Sequence, residues 1–222
     1  MLKGIFITGT DTGVGKTLVG QVIIHYLRKQ YKKVGVMKPV ASGAVFHNGL
    51  LQNEDAVLLQ KACNISLPYA LINPYCFSPA IAPHIAAELE GVKIDLQHIQ
   101  SCYENIARQV DVVVVEGAGG WHVPLNDEAT IETLSQQLSI PVVLVIGLRL
   151  GCLNHALLTM HAMQRSGVSV LGWIGNATKT DYQYHDRNIQ SLKRCISAPC
   201  LGVLPYSETK NIEHLSEYLE LN

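Results

Sequence analysis

The chain has 222 residues, of which 48% are hydrophobic and 16% charged, and its formal net charge is −1. That length buries a sizeable core within one α/β domain, and that composition excludes a disordered chain. A near-neutral balance gives no bulk attraction to nucleic acid or to an anionic membrane, and the longest apolar runs, such as 141–148, are far too short to span a bilayer.

In chain order, the first predicted element is a strand over 4–8, "GIFIT". It runs straight into a Gly/Thr loop with no signal-peptide core before it, so a cytoplasmic location is expected. A helix follows, with Leu18, Val19, Val22, Ile23, Tyr26 and Leu27 on one face. The next strand, 33–38, is stopped by Pro39, which leaves Lys38 at the same sheet edge as the loop. Glu54 and Asp55 in "NEDAVLL" sit in a first helical turn, where acids complement the helix dipole. The Pro-rich stretch 66–83 has no clean period and reads as an ordered excursion. Strands are then predicted at 111–116, 141–147, 169–176 and 199–205, and helices at 130–138, 152–166, 183–195 and 211–220. The strands are apolar at consecutive positions, as strands buried on both faces of a parallel sheet must be. Alternating strand and helix predicts a single-domain α/β fold over 1–222, a doubly wound and mostly parallel sheet of the P-loop NTPase-like kind. Six cysteines include no C-x-x-C pair, and nine histidines show no metal-ligand spacing, so reduced, buried thiols are expected.

The chemistry gathers at the first loop. The ordinary phosphate loop reads G-x-x-x-x-G-K-[ST]; here five residues separate Gly9 from Gly15-Lys16-Thr17. The extra residue leaves the physics intact. A loop between strand and helix turns free backbone N–H groups and the helix N-terminus toward an anion. Gly13 and Gly15 permit close approach, Lys16 reaches β- and γ-phosphates, and the Thr17 hydroxyl suits Mg²⁺. Glu116 ends a buried strand and begins "EGAGGW", which places a carboxylate where α/β ligands bind. A second lysine, Lys38, would stabilise charge developing in phosphoryl transfer. On residues alone, a switch ATPase, an amide-forming ligase and a non-catalytic nucleotide-binding module all share such a loop.

Taken together, "TGTDTGVGKT", "KPVASG", "NPYCFSPAIAPHIAA", "EGAGGW", "LGCLNHALLT", "GWIGN" and "LGVLP" resemble the dethiobiotin synthetase family over essentially the whole chain. The resemblance implies an ATP- and Mg²⁺-dependent cyclo-ligase acting on 7,8-diaminononanoate and CO₂ derived from bicarbonate. It implies a carbamate, then a carbamic–phosphoric anhydride, and a homodimer with substrate at the interface. Nucleotide contacts are expected from Gly13, Val14, Gly15, Lys16, Thr17 and Leu18, from Asp55, and from Glu116, Gly117, Ala118 and Gly119. Asn176 falls on the adenine-recognising position, beside a loop of Pro205, Tyr206 and Ser207. Thr17, Asp55 and Glu116 fall on the Mg²⁺ positions. Lys16, Lys38 and Thr12 fall on the reacting groups, and Ser42 on the substrate. Leu150, Gly151, Cys152 and Asn154 belong to the segment that takes the substrate carboxylate, with Cys152 as a small packing residue.

The chain also departs from the family pattern. Gly13 replaces a glutamate carried by some members, and Asn188 replaces a tyrosine. His122 is expected to pack or to find an incidental partner, and Tyr182 and Tyr184 have no assigned contact. Partitioning ATPases carry a signature lysine at the position of Asp11, and Asn176-Ala177-Thr178-Lys179 is no guanine reader, so both switch classes are disfavoured. A non-catalytic module has no need of Lys38, Ser42 and Glu116 together.

Overall fold

The computed structural model describes residues 2–179 and 184–221. Tyr182 therefore lies outside the described residues, as does the first residue of the helix predicted from 183.

Six strands form one all-parallel sheet: β1 (Gly4–Gly9), β2 (Val34–Met37), β7 (Val112–Gly120), β8 (Val142–Gly147), β9 (Val170–Asn176) and β10 (Cys200–Leu204). Their order across the sheet is β10-β9-β8-β1-β7-β2. The chain moves from β1 out to β2, returns to β7, and then crosses β1 to build the other half. The winding direction thus reverses about β1, and the crevice beyond the strand ends at such a reversal is where open α/β sheets bind ligands. Ile5, Phe6 and Ile7 of β1 and Val112–Val115 of β7 are fully buried, in keeping with strands covered on both faces.

Helix α1 (Lys16–Leu27) packs against α2 (Glu54–Ala62) and against α9 (Ile212–Ser216), and α7 (Cys152–Arg165) packs against α8 (His185–Cys195). The excursion after β2 is ordered. It contains β3 (Val40–Ala41), a hairpin of β4 (Val45–His47) and β5 (Leu50–Gln52), α2, α3 (Tyr69–Ile72) and β6 (Tyr75–Cys76), which pairs in parallel with β3. Helix α4 (Pro83–Leu89) starts on a proline, as first-turn positions allow.

The sequence reading above does not include α5 (Leu96–Ala107), although Leu96, Ile99, Cys102, Tyr103 and Ile106 are buried along it at helical spacing. Its N-cap Asp95 accepts from the Gln97 N–H, and α5 packs with α3 and with α6 (Ile131–Leu138). Helix α6 opens with a capping box between Thr130 and Thr133.

Candidate active site

Helices α1 and α7 begin in the same unusual way. Each follows a glycine in the left-handed region, Gly15 at φ 87° and Gly151 at φ 89°, and neither has a side-chain cap. By contrast α2, α5, α6 and α9 are capped by Asn53, Asp95, Thr130 and Asn211. The first-turn N–H groups of α1 thus have no capping side chain, which is what a phosphate-binding helix end requires.

A cleft of about 990 Å³ opens over that helix end. It is lined by Thr12, Gly13, Gly15, Lys16, Thr17 and Leu18, by Lys38 and Ser42, by Asp55, and by Glu116, Ala118 and Gly119. Lys38 is 4% exposed and lies between two carboxylates: its Nζ donates to Glu116 Oε1 at 2.5 Å and to Asp55 Oδ2 at 3.4 Å. Thr17 Oγ1 donates to the same Glu116 oxygen at 3.0 Å. Burial alone would push the Lys38 ammonium down, but Glu116 and Asp55 outweigh it, so its pKa stands above the usual lysine value. Lys16 behaves oppositely. Burial and the neighbouring Lys38 charge bring it down to about 8, against a weaker upward pull from Glu116, Asp55 and Asp11. Its Nζ rests on the Asp11 carbonyl at 2.9 Å.

Glu116 is 1% exposed, and its second oxygen, Oε2, is buried with no hydrogen-bond partner. A hard cation needs such an oxygen; together with the Thr17 hydroxyl and the Asp55 carboxylate it makes an all-oxygen donor set suited to Mg²⁺. Among the described residues no group of three or more His, Cys, Asp or Glu side chains forms a metal cluster, so any cation here would take ligands beyond such a cluster, as Mg²⁺ does with phosphates and water. Ser42 Oγ is likewise buried without a partner beside the cleft.

Other expected residues lie around this centre and not in it. Val14 is buried, and a Cβ on Gly147 would meet it at 3.0 Å, so it packs into the core and offers only its backbone. Gly117 lies against Phe6. Asn176, at the end of β9, donates from Nδ2 to the Val14 carbonyl at 2.9 Å, and its Oδ1 is buried without a partner. It supports the loop from beneath. Pro205, Tyr206 and Ser207 follow β10 outside the cleft lining, with Tyr206 exposed. Leu150 and Asn154 are exposed, Gly151 faces open space, and Cys152 is buried. Burial raises the Cys152 thiol, which suits packing and not nucleophilic attack. His122 is exposed and pairs through Nδ1 with Glu132 Oε2 at 3.0 Å, so it has a partner and does not pack in the core.

The cleft also takes in residues that sequence reasoning missed: Asn53, Leu58, Ala80 to Pro83, Val123, Lys210 and Ile212. Asn53 was legible as the cap before two acids; Lys210 carries no sequence signal.

A family model described as an AAA domain matches residues 3–213. An ATP-dependent dethiobiotin synthetase of Nitrosospira multiformis is 43% identical over 221 residues, covering 100% of this chain and 96% of that protein. The one from Aromatoleum aromaticum is 44% identical, covering 90% of this chain and 89% of its own length. The chain belongs to the ATP-dependent dethiobiotin synthetase family.

Like the synthetases it resembles, it is an ATP-dependent ligase. Its fold is shared more widely. The septum site-determining protein MinD of Pyrococcus horikoshii, solved with Mg-ADP, superposes with a TM-score of 0.56 at 17% identity, covering 100% of this chain and 88% of that one. A ParA-family ATPase of Chlorobium tepidum gives 0.56 at 13%, covering 99% and 91%. These likenesses concern architecture alone. At the position where partitioning ATPases carry their signature lysine, Asp11 caps the Thr12 N–H at 2.7 Å and pairs with Arg149. Among the described residues no helix is long and apolar enough to cross a membrane.

Proposed function

We propose that the protein closes the ureido ring of dethiobiotin from 7,8-diaminononanoate, CO₂ and ATP, with Mg²⁺. One amine of the substrate takes up CO₂ as a carbamate. A carbamate oxygen attacks the γ-phosphorus and ADP leaves, giving the carbamic–phosphoric anhydride. The second amine then attacks the activated carbonyl and expels phosphate.

The observation that carries this reading is the company Lys38 keeps: a buried, charged lysine between two carboxylates, across one cleft from Lys16, with an unpaired Ser42 hydroxyl beside it. Holding a nucleotide needs the loop and little more. Activating a carbamate needs a second positive group where the transferring phosphoryl and the carbamate meet, fixed in place before either arrives. In this reading Lys16 binds the phosphates, Lys38 stabilises the carbamate and the phosphoryl in flight, and Thr12 lies beside the reacting amine. Ser42 binds the diamine. Thr17, Asp55 and Glu116 hold Mg²⁺, which when bound offsets charge on the β- and γ-phosphates. Asn176, Pro205, Tyr206 and Ser207 form the adenine side, where the unpartnered Asn176 Oδ1 is the available acceptor.

The bare N-terminus of α7 supports a carboxylate site at Leu150, Gly151, Cys152 and Asn154, completed by a second copy of the chain. Leu150, just before α7, is 88% exposed and Leu158 within α7 is 62% exposed, and two exposed leucines in this segment suit a covered dimer face. Size-exclusion chromatography with light scattering tests the dimer. The reaction is tested by phosphate release from MgATP and bicarbonate with and without 7,8-diaminononanoate, with dethiobiotin sought by mass spectrometry. Product in step with phosphate is expected, together with its loss in Lys38→Ala and Glu116→Ala. Unchanged turnover in both variants would sink the assignment.

A further inference from the structure

Lys38 and Ser42 reach the cleft from the stretch 38–42 and Asp55 from α2, and one phenol connects the two segments. Tyr69 opens α3, outside the cleft lining. Its hydroxyl accepts the Asn53 N–H at 2.8 Å and donates to Asn73 Oδ1 at 3.0 Å. Asn73, 3% exposed, carries the connection to Lys38: its Nδ2 donates to the Lys38 carbonyl at 2.7 Å and to the Tyr75 carbonyl at 3.1 Å. The Lys38 N–H in turn donates to the Ile72 carbonyl at 2.7 Å, so residues 72 and 73 grip both sides of its backbone.

Asn53, also buried, carries the connection the other way. Its Nδ2 donates to the Ser42 carbonyl at 3.1 Å, and its Oδ1 accepts the Ala56 N–H at 3.3 Å, capping the helix whose first turn bears Asp55. Neither buried amide leaves its oxygen unpaired. Burial pushes the Tyr69 phenol well above its usual value, so it stays a neutral donor. Asn53 and Asn73 are buried and Tyr69 half-buried, and a satisfied network of this kind holds its members in one arrangement, so removing the phenol leaves the Asn53 N–H and the Asn73 Oδ1 without that partner.

We propose that Tyr69 is a positioning residue for the reaction, acting through Asn73 and Asn53 to fix Lys38, Ser42 and Asp55 relative to one another. This rests on the ring-closing reading given above. A misplacement of ~1 Å in such a constellation costs on the order of a hundredfold in rate.

Tyr69→Phe keeps the ring and removes only the node. Its kcat is expected to fall about tenfold while the Kd for ADP measured without metal, a binding that bypasses Asp55, stays within about twofold, because Lys16 is held within its own loop. In the double variant Tyr69→Phe/Asn73→Ser the losses should not add, since both cut one linkage. Hydrogen exchange reads the linkage independently of any substrate: amides over 38–44 and 53–57 should lose protection in Tyr69→Phe, while those over 4–9 and 112–116 do not. Unchanged exchange overturns the proposal. So does an unchanged kcat, a Kd for metal-free ADP that rises in step with the loss of kcat, or additive losses. Should Tyr69→Phe not fold, Asn53→Asp keeps the helix cap, removes the donor to Ser42 and carries the same kinetic expectation. A wild-type enzyme that makes no dethiobiotin defeats the functional reading instead, and the exchange result still decides this one.

Discussion

The depressed Lys16 makes a quantitative prediction about ATP binding. In the free protein Lys16 is 7% exposed and its pKa lies near 8, lowered first by burial and then by Lys38. Phosphate oxygens add negative charge beside it and should return it to its ordinary range or above. At pH 8.5 a group with a pKa of about 8 is roughly three-quarters deprotonated, so binding should draw in about three-quarters of a proton per nucleotide. At pH 6.5 the free lysine already carries its proton, and uptake should be close to nil. Isothermal titration of MgATP in buffers of different ionisation enthalpy reads this directly. Lys16→Arg keeps the charge without a titratable proton and should show no buffer dependence. Absence of uptake in the wild type at pH 8.5, or the same uptake in Lys16→Arg, would refute the reasoning.

The same depression sets the pH dependence of stability. A fall from 10.5 to about 8 is a penalty on the order of 3 kcal/mol for keeping Lys16 charged in the folded state. The penalty is fully present below about pH 8 and disappears as pH rises toward the unfolded value of 10.5. Nucleotide-free Lys16→Met should therefore be more stable than the wild type at pH 7, by up to about 3 kcal/mol, with the gap narrowing to about 1 kcal/mol by pH 10.

Lys38→Met should do the reverse. It leaves the buried Glu116 carboxylate without its cation and is expected to cost about 3–5 kcal/mol in chemical denaturation, while adding Glu116→Gln should recover much of that loss. Gly15→Ala places a Cβ 2.2 Å from Asn176 Nδ2 at a left-handed position, and should cost roughly 2–4 kcal/mol of stability and more than about tenfold in ATP affinity. The Asp11–Arg149 pair is about half exposed on both sides, so Arg149→Ala should shift a urea transition by no more than about 1 kcal/mol.

The phosphate half of the site was legible in the sequence because its signals are local. A strand, two glycines and Lys16-Thr17 ahead of a helix lie within one short stretch, and Glu116 announces itself as the lone charge closing a valine run. Lys38 was legible through Pro39, which ends β2 there. The substrate half was not, because its geometry depends on contacts between distant segments. Nothing near Ser42 in sequence says that Asn53 holds its carbonyl, and nothing near Lys38 says that Asn73 does. Asn176 shows the converse: an amide placed by resemblance at the adenine also props up Val14, a contact across 162 positions that no spacing reveals. Helix α5 was legible in principle from its apolar spacing, and only its bounds needed the Asp95 cap.

The sheet order has a consequence for how such an enzyme changes over time. The phosphate loop hangs from β1, which is paired with β7 on one side and β8 on the other, so its point of departure is fixed by the middle of the sheet. The acceptor side hangs instead from a two-residue strand pairing, a small hairpin and a few side-chain hydrogen bonds. Lengthening or shortening the exposed β4–β5 hairpin leaves the phosphate loop untouched so long as α2 keeps Asp55 against α1. The architecture thus separates a part that heredity must keep from a part it is free to vary, so new acceptors can be explored without giving up the use of ATP.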